Sequence, residues 1–176
     1  MSGPLSQLTL TYDPSEDRML LRIATAENTE YQLWLTRRFV KVLWGALMQT
    51  LDRTPEIAKR ATQPAVRDAV KAMQHQEAVQ SSDFSKPHTE GNVNLTSNSG
   101  PLLVTGGRVK PVSPDNTVLS MKTASGTGVQ FGLNKKLLHA LCHMVITSAQ
   151  KADWDLDLTV GDPRVLVPES SGSVVH

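Results

Sequence analysis

The feature that most constrains this chain is a pattern written twice. Tyr31–Leu51 (YQLWLTRRFVKVLWGALMQTL) returns in altered form from Val129 (VQFGLNKKLLHALCHMVITSA), 98 positions later (129 − 31). The offset holds without a gap from Met19 to Leu47. Identities fall at Leu21/Leu119, Thr25/Thr123, Ala26/Ala124, Thr29/Thr127, Gln32/Gln130, Leu35/Leu133 and Leu43/Leu141, seven in 29 positions. The physical agreement is stronger than the identities. Each copy has an alternating run (Met19–Thr25; Thr117–Thr123), a short polar break (Ala26–Thr29; Ala124–Thr127) and a second alternating run. Alternation with period two reads as half-buried strands, and the break reads as a hairpin. At Thr36 and Asn134 the period changes to 3.6. Both side chains can accept a hydrogen bond from the first turn of a helix. Each unit is therefore a β-hairpin followed by a long apolar helix.

These readings predict an α+β domain over 1–176, built as an internal repeat of two ββα units with pseudo-symmetry. Each unit has a possible extra leading strand, and antiparallel sheets pack against the two long helices. The first unit spans 7–52 and the second 101–153. Between them lie a helical insertion (53–80) and a stretch rich in Ser, Asn, Thr, Gly and Pro (81–100) that reads as a flexible linker. Gln7–Tyr12 reads as the leading strand. Thr54-Pro55-Glu56 starts a helix, which Pro64 should interrupt. After Pro64 a weakly apolar helix has Val66, Val70, Met73 and Ala78 as its inner positions. Gly106-Gly107 marks a bulge or bend in the strand that leads the second unit. Residues 154–176 read as short strands, Trp154–Leu158 and Arg164–Val167, and a disordered tail.

Composition narrows the function classes. Eighteen Lys and Arg against 17 Asp and Glu give a net charge of +1, so no global charge recruits nucleic acid or an acidic membrane. The single cysteine excludes an internal disulfide framework and favours the cytosol. The N-terminus lacks the basic-then-apolar pattern of a signal peptide, and no run of about 18 apolar residues would span a membrane.

Three groups of residues are candidate sites. Arg37-Arg38 and Lys135-Lys136 place cations at the starts of both long helices, where the helix dipole disfavours them. Such positions would suit a phosphate, a carboxylate or a nucleic-acid backbone. The plainer account is that these side chains extend into water and pair with Glu27, Glu30 or other turn acids. His139 and His143 are four apart on one helix, the spacing of a metal pair. By the repeat, both replace solvent-facing residues of the first helix, Lys41 and Gly45, while Cys142 replaces the apolar Trp44. A polar stripe with a buried cysteine is therefore the expectation, with no metal and no cofactor. Trp34 lies on the strand face opposite Leu33 and Leu35. Either the middle helices cover it, or it anchors a partner or a second copy.

No G-x-S-x-G, H-E-x-x-H or glycine-rich phosphate loop occurs, and no catalytic residues can be nominated. The expectation is a non-catalytic interaction or assembly protein, a scaffold or adaptor that self-associates or binds a protein partner. The alternative is a nucleic-acid or anion-binding protein using the paired basic residues. A small enzyme of unassigned chemistry comes third.

Overall fold

The computed structural model describes residues 4–60, 63–86, 94–95 and 100–162. The elements run β1 (Leu5–Asp13), β2 (Arg18–Thr25), β3 (Thr29–Leu35), α1 (Arg37–Asp52), α2 (Pro55–Arg60), α3 (Pro64–Gln80), β4 (Asn94–Leu95), β5 (Leu102–Ser113), β6 (Asn116–Thr123), β7 (Gly128–Asn134) and α4 (Lys135–Lys151). The architecture is mixed α+β.

Period-two burial in the strands sets one apolar face. Met19, Leu21, Ile23, Leu33 and Leu35 point inward in the first half, and Leu119, Met121, Val129, Phe131 and Leu133 in the second; all are buried. Both long helices begin as expected. The Thr36 hydroxyl accepts from the Phe39 N–H, and the Asn134 side chain accepts from the Leu137 N–H. Pro55 and Pro64 each occupy the first position of a new helix, where a missing N–H costs nothing.

The sheet order is β1-β2-β3-β5-β6-β7, with two-residue β4 beside β3. The expected antiparallel sheet is therefore corrected to a mixed one. Strand β3 pairs in parallel with β5 at Leu33↔Leu102 and Trp34↔Leu103. The reason is the crossover: β5 returns only after three helices and so runs the same way as β3. The register shift between Val104 and Gly106 realises the bulge expected at the paired glycines. Gly107 needs to be glycine here, because a Cβ would meet the Ser120 carbonyl oxygen at 2.9 Å and the Phe39 ring at 3.2 Å.

The helices pack across the halves. Helix α1 lies against β5, and α4 lies against β1. The Ser148 hydroxyl donates to the Leu10 carbonyl at 3.3 Å across this seam. Helix α2 packs on α1 and α3, and α3 on α1 and α4, so the insertion lies on the helical side of the sheet. Lys71 of α3 is buried there, with its ammonium 2.5 Å from Asp52 and 3.3 Å from Asp68. Met73, an expected inner position of α3, is 55% exposed because Ala69, Lys71 and Ala72 take that face instead.

Residues 154–162 form no strand among the described residues. Leu156 N–H donates to Trp154 O and Leu158 N–H to Leu156 O, so their backbone is satisfied locally by tight turns. Alternation there records one-sided packing, with Trp154 and Val160 buried. The Trp154 indole N–H donates to Asp17 at 2.9 Å, tying this segment to the β1–β2 turn. The Arg164–Val167 strand, the tail, and 87–93 and 96–99 of the expected linker lie outside the described residues. No described helix is long and apolar enough to cross a membrane.

Candidate functional site

The most distinctive surface is an edge of the sheet. Strand β7 pairs with β6 on one side, and no described strand pairs with its other side. Its hydrogen-bond parity follows from the ladder's two ends. Thr123 N–H donates to Thr127 O, and Lys135 N–H donates to Asp115 O. Both pairs continue the β6–β7 register, so Val129, Phe131 and Leu133 bond to β6. The intervening Gly128, Gln130 and Gly132 therefore turn their backbone N–H and C=O groups to the open edge, as Asn134 does its N–H, its carbonyl being taken up as the cap of α4. All four are exposed, and a Cβ on Gly132 would meet nothing within 4 Å. Edges in natural sheets are protected by charged residues, proline or bulges. Strand β7 (GVQFGLN) has no charged residue and no proline, and its register is unbroken.

A second feature is a groove of about 940 Å³ between β1 and the first turns of α4. Leu5, Leu8, Leu137 and Met144 supply its apolar walls, and Phe84 and Lys86 border it from the segment after α3.

Beside this groove α3 meets α4 through histidines. His75 Nδ1 and His139 Nδ1 are 3.2 Å apart, which makes one the donor and the other the acceptor. The His143 ring centroid lies 6.4 Å from that of His75 and 4.7 Å from that of Phe84. The expected solvent stripe is thereby corrected: His139 is 1% exposed, because α3 docks over the face that α1 leaves to water. Burial, with His75 and Lys135 nearby, holds the His139 pKa down at about 4. Burial followed by His143 lowers His75 as well. Among the described residues no hydrogen-bond partner reaches His139 Nε2. Among the described residues no group of three His, Cys, Asp or Glu side chains is placed to hold a metal ion. Cys142 does point inward, fully buried, and burial pushes its thiol up to about 12, so it is not a poised nucleophile.

The four basic residues do not converge. The Arg37 guanidinium donates to the Asp155 carbonyl beyond the C-terminus of α4. Lys136 Nζ donates to the Ser81 carbonyl at 2.7 Å, at the N-terminal end of α4. Seventeen residues of α4 separate the two places, a rise of about 25 Å. Arg38 is exposed next to Arg37, and Lys135 precedes Lys136 at the other end.

Trp34 sits on the sheet face away from the helices. It is half-buried in a cross-strand row with Thr11, Leu20 and Leu103. The middle helices pack on the opposite side. The open β7 edge has no local pattern that marks it, since only the whole strand order makes β7 terminal. Its lack of charge and proline was the one legible sign. Comparison with known proteins adds no relative: no family model, no curated protein and no solved structure matches the chain.

Proposed function

We propose that this chain is a non-catalytic assembly protein that self-associates through β7. The open, uncharged edge of that strand carries the reading. An edge with no like charges can pair with its own copy antiparallel about a two-fold axis, each backbone supplying what the other lacks. A continuous sheet across two copies results. The anion alternative through Arg37, Arg38, Lys135 and Lys136 would need two separate sites, one at each end of α4. A cytoplasmic location fits the single, buried, unreactive cysteine.

The two strand–strand–helix units are read as copies of one ancestral unit. In support, Thr25 and Thr123 each donate a hydroxyl to the carbonyl four residues on, and positive φ recurs at Asn28 and Gly126. The two N-caps also share the offset of 98 (134 − 36).

The test is light scattering behind a sizing column across a concentration series at low and high salt. A dimer that survives high salt is expected. Gln130→Pro removes a donor aimed at the open edge and none that bonds β6, and Gln130→Lys adds an edge charge. Both should give folded monomers. A wild-type monomer throughout, or a dimer indifferent to both variants, refutes the reading.

A further inference from the structure

The outer face of the second half of the sheet carries a concentrated positive charge that the net charge conceals. Strands β5, β6 and β7 contain no Asp or Glu. Their cations are Arg108, Lys110 and Lys122, all exposed. Register puts the three on one face. Lys110 faces Val118 and Gly132, Arg108 faces Ser120 and Gln130, and Lys122 faces Gly106 and Gly128. Intervening residues Val109, Leu119, Met121, Val129 and Phe131 turn toward the helices. Arg108 and Lys110, two residues apart on one strand, are about 7 Å from each other, and Lys122 is a diagonal neighbour of Arg108. Gly106, Gly128 and Gly132 raise no side chains, so the face between the cations is low. None of the three makes a salt bridge among the described residues.

Trp34 lies on this same face. It pairs with Leu103, and Gly106, opposite Lys122, follows three residues along β5. Trp34 and Lys122 are therefore about 10 to 15 Å apart, with the other two cations beyond. Of the acids at the Trp34 end, Glu30 is 4% exposed and accepts from Gln32, while Asp13, two residues along β1 from Thr11, accepts from Ser15 and lies opposite Arg18 in the register.

We propose that this face binds single-stranded nucleic acid, with phosphates on Lys122, Arg108 and Lys110 and an unpaired base against Trp34. Charge complementarity selects a polyanion. The aromatic at the end of the cationic track selects a single strand, because a base inside a duplex offers no free face to stack on. The face belongs to each copy, whether or not β7 pairs.

The test uses the full chain and a fluorescently labelled oligothymidylate of about 15 nucleotides, read by anisotropy. Affinity should fall with salt, with log K against log salt sloping at about −2 for three single-strand phosphates. Arg108→Ala/Lys110→Ala/Lys122→Ala should weaken binding by about ten-fold or more at low salt and flatten that slope. Trp34→Phe should retain affinity, while Trp34→Leu should lose about ten-fold. A second readout does not depend on how the variants fold. Trp44 and Trp154 are 8% and 7% exposed, so quenching of wild-type tryptophan emission by the oligonucleotide reports on Trp34. No binding at low salt overturns the proposal. So does equal affinity for the matching duplex, equal binding to anionic vesicles, or absence of quenching. Loss of binding in Arg37→Ala/Arg38→Ala/Lys135→Ala/Lys136→Ala, with the triple variant unaffected, moves the site to the helix starts and also overturns it.

Discussion

His139 illustrates how one buried side chain couples this fold to pH. Its folded pKa lies at about 4, below its ordinary value of 6.5, because burial disfavours the cation. Between these values the unfolded chain binds the proton and the folded chain does not, so stability falls as pH falls. The contribution is complete above pH 6.5 and is lost progressively toward pH 4, by about 3 kcal/mol at 1.36 kcal/mol per pH unit. His75 shifts the same way and adds to the effect. Urea midpoints measured from pH 7.5 to 4.5 should therefore fall steeply for the wild type. The dependence should be distinctly flatter for His139→Leu, which takes no proton. Identical slopes would show that the α3–α4 contact is not where the acid sensitivity lies. Nothing local announces this burial. His139 occupies the helical position that is solvent-facing Lys41 in α1, and only the docking of α3 takes it out of water.

At the level of elements, the short-range physics was readable and the long-range was not. Strand alternation, the caps at Thr36 and Asn134, the helix starts at Pro55 and Pro64 and the bulge near Gly106 are all encoded within a few residues of where they act. Replacing either cap with alanine should accordingly cost about 1 kcal/mol, measured by denaturant unfolding. An effect near zero at both would mean that packing, and not the cap, fixes where the helices begin. The β3–β5 pairing has no such signature. It consists of two register pairs between strands separated by three helices, and nothing in Leu33-Trp34 or Leu102-Leu103 names the partner. The false strand at Trp154–Leu158 has the opposite cause. Its alternation is genuine but comes from one face packing on the core, a pattern that a tight-turned segment shares with a strand. The groove and the β7 edge are likewise products of strand order, which no local window contains.

For the whole molecule, the reciprocal packing of α1 on β5 and α4 on β1 makes the halves mutually dependent. Residues 1–80 and 81–176 expressed separately should each lack a cooperative unfolding transition. Mixing them should restore one, read by circular dichroism against temperature. Independent transitions in the separate fragments would show two self-sufficient units. The same seam governs how the protein is made. Strand β1 is synthesised well before α4, the helix that covers its inner face, and the Ser148–Leu10 bond spans 138 positions. At typical elongation rates of about 5 to 20 residues per second, Leu8 and Leu10 wait roughly 10 to 30 s for their cover. The nascent chain, more than the finished one, is thus the form that presents apolar strand to chaperones and proteases. A ribosome that stalls before α4 therefore leaves the inner face of β1 without its cover, an exposure that only the synthesis of that helix can end.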